Sequence, residues 1–364
     1  MIYDIVSAKV LDGDIRSCAW DSYFLHNARI PDSNSLSFPF LFQASLVVYF
    51  VYSQRLIVLP PIQMDYPQDF AVGRPRHSDV YPFIDPRASL KGVAQGKIVL
   101  VTGAGTGIGK AIAEQFAIAG ASSVIIAGRR SEPLEETKTS IELLAPQCQV
   151  LVRGGTDVAD KASVKNLMDS LPEVPDILVH SAAVSLSTAA IDESNPDWWL
   201  GDIDNNIRGM YMITTAYLGA LKEAGKTKAR IINVGSIASW RYVYGRSSYA
   251  ASKVAMNTFT EYIDREQQAA GNDIRCVVMH PGGVLTDLIK NTVVPEAIIG
   301  RMTDKAELSG ATAVYLSTGR SNFLMGRFVL ATWDMEELEQ QKDRILKEDL
   351  LKTRVMGVEW RDGF

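Results

Sequence analysis

KIVLVTGAGTGIGKAIAEQFAIAGA, residues 97–121, reads as strand, glycine turn and helix in that order. Residues 98–102 are apolar almost throughout and do not alternate, which suits a strand buried on both faces. Gly103, Gly107 and Gly109 remove side chains where the backbone must turn sharply and approach a ligand. The helix opening around Thr106, Gly107 and Ile108 offers free N–H groups and the positive end of its dipole. A glycine string alone says little. Set between a strand and a helix, it predicts a cradle for the pyrophosphate of a dinucleotide.

The same alternation runs on along the chain. Apolar runs recur at SSVIIAG (122–128), QVLVRGG (149–155), DILVHSAA (176–183), RIINVGS (230–236), RCVVMHPGG (275–283) and GRFVLA (326–331), with amphipathic helical stretches between them. The pattern predicts an α/β fold: a single Rossmann-type, doubly wound parallel sheet of about seven strands with helices on both faces. Ligands of such sheets lie at the carboxyl ends of the strands. The expected organisation is an irregular apolar N-terminal extension (1–73), a lead-in segment (74–95), the Rossmann-fold catalytic domain (96–333) and a charged C-terminal tail (334–364).

Composition narrows the class. The 364 residues are 47 % hydrophobic and 22 % charged, ordinary for a globular chain with a sizeable core. The net charge of −5, with no basic face in the sequence, argues against nucleic acid as a partner. Cys18, Cys148 and Cys276 are odd in number and far apart, which argues against a disulfide framework or a metal site and fits a cytoplasmic, reducing address. Residues 33–54 carry no charge and nearly reach the length of a membrane span. Pro39 and the polar content favour a strand-like or irregular extension, with membrane association as the rival. The conventional pattern begins only after Met64, which raises that methionine as a start site.

The second strand ends at Gly128, followed by Arg129 and Arg130, where an acid would grip an NAD ribose. Guanidinium groups there suit a 2′-phosphate, so NADP(H) is expected over NAD. Asp157, after the third strand, either meets the adenine amino group or caps its own turn.

Tyr249 and Lys253 stand four residues apart in SYAASK (248–253), on one face of a predicted helix and about 6 Å apart along its axis. A free phenol has a pKa of about 10. A lysine charge about 5 Å away, at an effective dielectric of about 20, contributes about 3 kcal/mol toward ionisation. A phenol poised near neutral pH exchanges protons well with a carbonyl or alcohol. Ser236, ending RIINVGS, is placed to hydrogen-bond the reacting oxygen. Asn206, in DIDNNIRG, is placed to bend its helix and hold a water that links Lys253 to solvent.

TGAGTGIG (102–109), Asp157-Val158, Asn206, Ser236, Tyr249–Lys253 and PGGVLT (281–286) together resemble the short-chain dehydrogenase/reductase family over roughly residues 96–331. The resemblance implies a tetrad. Tyr249 is the general acid/base, and Lys253 lowers its pKa and holds the nicotinamide ribose. Ser236 orients substrate, and Asn206 supports a proton relay. It also implies cofactor contacts at Val158, Ala182, Pro281, Gly282, Val284 and Thr286. The family's usual Asn-Asn-Ala-Gly after the fourth strand is His180-Ser181-Ala182-Ala183 here, so His180 is expected to replace a sheet-stabilising asparagine. His280, and the pair Trp198 and Trp199, are expected to be packing residues. The stretches 77–97 and 326–342, with Trp333-Asp334, resemble a filamentous-fungal branch of the family, which implies secondary metabolism.

The resemblance implies a substrate lid in the segment after Thr286, where Leu288, Ile289, Val293, Val294, Ile298 and Ile299 suit an apolar carbonyl or alcohol, or simple packing onto the body. Homodimers or homotetramers through the helices bearing Asn206 and Tyr249 are implied by the family. The tail, with Leu338, Ile345 and Leu350, wraps its own subunit or a neighbour, or is a solvated helix. The sequence therefore predicts an NADP(H)-dependent oxidoreductase acting on a ketone, aldehyde or alcohol. A non-catalytic NADP-binding regulatory protein of the same fold is the rival.

Overall fold

In the computed structural model, residues 48–52, 55–59, 77–290 and 299–354 are described. The chain divides into two compact units, Met1–Met64 and Asp65–Phe364. In the first, β1 (Val48–Tyr52) pairs antiparallel with β2 (Arg55–Leu59), Tyr52 opposite Arg55. Tyrosine and β-branched residues favour this extended backbone. Of the uncharged stretch 33–54, only Val48–Tyr52 is described, and it is strand; the remainder and Met64 lie outside the described residues. No helix among the described residues is long and apolar enough to cross a membrane.

The second unit carries the expected sheet. Its strands are β3 (Ile98–Thr102), β4 (Ser123–Ala127), β5 (Gln149–Arg153), β6 (Ile177–His180), β7 (Lys228–Val234), β8 (Asp273–His280) and β9 (Phe328–Leu330). They run parallel in the order β5-β4-β3-β6-β7-β8-β9. The order reverses direction between β3 and β6, the place where a doubly wound sheet opens a crevice for its ligand. Successive residues of one strand feed different cores. Val99 and Val101 join one cluster and Leu100 the other; Val124 and Ile126 face opposite to Ile125. This period of two inside an apolar run is why the strands lack polar alternation.

Helices α1 (Gly107–Ile118), α2 (Ser131–Leu144), α3 (Lys161–Asp169), α4 (Pro196–Ile203), α5 (Gly209–Glu223), α6 (Ser247–Ala269), α7 (Asp287–Lys290), α8 (Ala306–Leu316), α9 (Met335–Gln340) and α10 (Lys342–Lys347) surround it. Phe116 of α1, Ile141 of α2 and Val314 of α8 close one face. Leu167 of α3, Tyr217 of α5 and Ile263 of α6 close the other.

The two stretches that resemble the fungal branch touch each other. The His77 backbone N–H donates to Thr332 O (3.1 Å), and His77 Nε2 lies 2.8 Å from Asp334 Oδ2. The Tyr81 hydroxyl accepts from Met335 N at 2.7 Å. Trp333, Leu338 and Ile345 are buried, so the described tail packs into its own subunit. Residue 351 lies along the outer edge of β9, where Phe328 N donates to Leu351 O at 2.7 Å.

Candidate active site

The glycines after β3 are fixed by what stands over them. A Cβ on Gly103, whose φ is +67°, would lie 2.6 Å from Ala182 N. One on Gly109 would lie 2.3 Å from Gly103 O, and one on Gly107 3.0 Å from Thr286 Cγ2. The loops after β3, β6 and β8 therefore converge on a floor of bare backbone. Thr106 is the N-cap of α1 without a side-chain capping bond, so the first-turn N–H groups are left for a ligand. The loop after β8 is shaped by Asp304, a residue that no motif marks. Gly283 N donates to Asp304 Oδ2 at 2.7 Å, and Asp304 N donates back to Gly283 O at 3.1 Å. Gly282 turns there at φ +96°, and Thr286 N donates to Val284 O. Ser309 Oγ donates to Pro281 O at 2.7 Å.

Arg129 and Arg130 are exposed at the carboxyl end of β4. The Asp157 carboxylate accepts from Ala159 N at 2.9 Å, the turn-capping arrangement, while Val158 packs against Gly209 of α5. A dinucleotide fits this end of the sheet: the cradle has no room for side chains, and its walls offer backbone donors and cations.

Next to the cradle lie the four polar residues singled out from sequence. Ser236, just past β7, caps the short turn Ile237–Ser239, and its hydroxyl acts to lower the pKa of the Tyr249 phenol. Lys253 is 2 % exposed; its ammonium donates to Val234 O at 2.8 Å and lies 5.5 Å from the centre of the Tyr249 ring. Asn206 sits in a π-turn, Asp204–Arg208, that interrupts the helix formed by α4 and α5. Its amide accepts from Val184 N and donates to Val184 O, both at 2.9 Å, and donates to Ser252 Oγ at 3.1 Å. The insertion of one extra residue into a turn aims that side chain inward.

The electrostatics differ from expectation. Burial raises the Tyr249 pKa above its ordinary value, and the Ser236 hydrogen bond and the Arg246 charge pull it back only in part. The expectation of a phenol drawn to neutrality by Lys253 is corrected: desolvation dominates, and the charge that lowers the phenol's pKa is that of Arg246. Burial in turn lowers Lys253 to about 8.

Two histidines flank the centre as neutral structural groups. His180 Nε2 lies 3.2 Å from Thr214 Oγ1, and burial with the Lys253 charge lowers its pKa to about 3. His280 Nδ1 accepts from Ile237 N at 3.2 Å, bracing the turn behind Ser236; burial, helped by Arg241, lowers it to about 4. Trp199 Nε1 donates to Ser247 Oγ at 3.0 Å. Trp198 corrects its expectation as a packing residue: it is 58 % exposed. Leu186 and Ile191 beyond β6, Leu200 on α4, Trp240 and Tyr242 beyond β7, and Leu285 beyond β8 are exposed too, an apolar rim at the carboxyl end of the sheet. Of the predicted lid, Leu288, Ile289 and Ile299 are described, and Val293, Val294 and Ile298 lie outside the described residues.

Sequence reasoning missed a buried polar group beneath this rim. Asp202 is fully buried and accepts from Leu186 N (2.7 Å), Ser187 N (3.3 Å) and Ser248 Oγ (2.5 Å). Arg246 Nη1 donates to Ser185 Oγ at 2.5 Å. These partners are far apart in sequence, and only the opening of α6 just before Tyr249 hints at them.

A Rossmann sheet with a glycine cradle beside a serine, a tyrosine and a lysine defines a nicotinamide-dependent oxidoreductase of one chain type. Residues 97–296 match the family described as short chain dehydrogenase, and the chain belongs to that family. It is 33 % identical to the short chain dehydrogenase mpl6 of Monascus purpureus, over 77 % of this chain and 94 % of that one. It is 35 % identical to pgmD of Aspergillus terreus, over 72 % of this chain and 87 % of that one. Among solved structures, 3-oxoacyl-[acyl-carrier protein] reductase from Brucella melitensis matches with a TM-score of 0.61 and 25 % identity, covering 70 % of this chain and 96 % of that one. The protein is thus a short-chain dehydrogenase/reductase, from a family that binds a nicotinamide cofactor and acts on small molecules.

Proposed function

We propose that the protein is an NADP(H)-dependent reductase that interconverts a ketone or aldehyde and an alcohol on a largely apolar small molecule, in fungal secondary metabolism. The observation that carries this reading is Tyr249 placed with Lys253 and within the influence of Ser236, at the strand ends that also bear the glycine cradle. When bound, the nicotinamide supplies or accepts a hydride. The chain's own residues handle the proton and the geometry. The Ser236 hydroxyl holds the substrate oxygen from one side. Tyr249, kept protonated by burial, gives its proton to that oxygen as the carbonyl is reduced, and takes it back in the reverse direction. Lys253 spends one N–H on Val234 O, which leaves two for ribose hydroxyls. Asn206, in the π-turn, supports the route by which Tyr249 and Lys253 are reprotonated. Arg129 and Arg130 hold the 2′-phosphate.

The apolar rim supports an apolar substrate. Tyr211 on α5, with Val254 and Tyr262 on α6, are exposed, which supports assembly into a homodimer or homotetramer through these two helices. Cys148 and Cys276 are buried free thiols, in keeping with a cytoplasmic address.

Tyr249→Phe tests the reading. Reduction of a ketone panel, followed through NADPH absorbance, is expected to fall about 10³-fold. NADPH binding, followed by fluorescence, is expected to stay within about twofold, because general acid catalysis and coenzyme affinity rest on different atoms. Undiminished turnover in this variant would refute the assignment.

A further inference from the structure

A guanidinium stands where the substrate must come. Arg246 caps the start of α6, one turn before Tyr249, and is only 7 % exposed. Of its five N–H donors, the protein uses one, on Ser185 Oγ. Ser185 lies three residues past Ala182, on the loop that leaves β6 beside the cofactor cradle. No carboxylate pairs with Arg246 among the described residues. Asp202, whose charge reaches it, is committed to Leu186 N, Ser187 N and Ser248 Oγ. None of the Arg246 nitrogens is among the polar atoms sealed from solvent without a partner, so its spare donors face an opening and not the packed core. As the N-cap of α6, Arg246 stands one turn before Tyr249, and its charge acts on that phenol.

A buried cation whose neighbouring carboxylate, Asp202, makes no direct bond to it is relieved further when an anion comes into contact and completes the pair. Its planar fork matches a carboxylate bidentately. One cation answers one negative charge, which favours a carboxylate over a phosphate dianion. Three residues of helical rise separate Arg246 from Tyr249 by about 4.5 Å along the axis, the reach of a short spacer. Leu186 and Trp198, exposed on the neighbouring loop and helix, suit the apolar remainder.

We infer that Arg246, anchored on Ser185, is a specificity residue that binds a substrate carboxylate set a few bonds from the reacting carbonyl. The substrate class is then an oxo acid with an apolar body. The inference rests on Tyr249 and Ser236 being the reaction centre.

The test compares 4-oxo-4-phenylbutanoate with its methyl ester as substrates under NADPH. Alongside, calorimetry compares 4-phenylbutanoate with 4-phenylbutanamide as ligands of the NADP-saturated protein. The wild type is expected to favour the acid about 30-fold in kcat/KM, the worth of a charge-assisted bond, and to bind the acid over the amide. In Arg246→Met the acid-to-ester ratio falls to near one, mainly through KM, and Arg246→Lys keeps an intermediate ratio. Equal treatment of acid and ester by the wild type overturns the inference. So does an acid preference that survives Arg246→Met, or a loss shared equally by both substrates, which would make Arg246 a structural group or a tuner of Tyr249. If Arg246→Met fails to fold by thermal melt, the wild-type calorimetry and Arg246→Lys decide; absence of selective acid binding then overturns it. Full turnover in Tyr249→Phe together with intact acid selectivity would instead sink the reaction-centre reading and leave this subsite standing.

Discussion

At Gly103 and Gly109 an added carbon would fall within 2.6 Å of neighbouring backbone, so that end of the sheet can be read only as bare main chain. Beyond the ends of β6 and β7 the plan inverts. Asp202, Arg246 and Lys253 bring formal charges into the interior, held by serines, backbone amides and a carbonyl. The first region recognises by what it lacks, and its tolerance for change is set by sterics. The second recognises by what it buries, and its tolerance is set by the cost of stranded polar groups.

Substitutions at the two ends should therefore fail differently. The largest effect is expected for Gly103→Val. A side chain forced to φ +67° and against Ala182 costs about 4 kcal/mol of stability when both penalties apply, read by denaturant unfolding, and nucleotide binding is lost with it. Unchanged NADPH affinity in that variant would break the steric account of the cradle.

Lys253 sharpens the other side. Its folded pKa of about 8 lies below the ordinary 10.5, so between those values the unfolded chain holds the extra proton. Stability then rises with pH across that window, by up to about 3 kcal/mol. Unfolding midpoints measured without coenzyme are expected to show this rise in the wild type and its loss in Lys253→Met. A slope common to both proteins would show that the burial cost lies elsewhere.

Asp202→Asn comes next. An amide nitrogen replaces the oxygen that accepts from Ser187 N, so a donor faces a donor, and the Ser248 hydroxyl must turn to accept. About 2 kcal/mol of thermal stability is expected to go, with coenzyme affinity intact because the cradle is untouched. Parallel loss of affinity would mean that the two ends are not separable. The smallest effect is expected at Arg129, exposed beyond β4. Arg129→Asp should cut the NADPH-over-NADH preference about tenfold, or about 1.4 kcal/mol, with no change in melting. An unmoved preference would remove Arg129 from phosphate recognition.

The same contrast explains what could be read before the structure. The seven strands stood out because residues such as Val99, Leu100 and Val101 are all buried, leaving no polar alternation to confuse the pattern. The glycine cradle, the π-turn asparagine and the Tyr249–Lys253 spacing are local, and local spacing survives in sequence. Arg246 with Ser185 is a contact across 61 positions, and Asp202 with Ser248 one across 46. Their closeness to Tyr249 marks Arg246 and Ser248, but no local spacing marks Ser185 or Asp202 as their partners. Electrostatics failed for a related reason. The distance from Lys253 to Tyr249 follows from helix geometry, but the desolvation that outweighs it depends on the whole surrounding fold. Trp198 was misread because an apolar side chain on a helix normally signals core, whereas here it faces outward.

The bond from Phe328 N to Leu351 O bears on how the molecule behaves in a crowded solution. β9 is the last strand on its side, and a terminal strand offers unclaimed donors to any passing extended chain. The returning segment fills part of that margin with its own carbonyl and clamps it through the Arg327–Asp349 ion pair. A chain cut short before position 349 would bare this selvage, and its first symptom would be turbidity, ahead of any fall in catalytic rate.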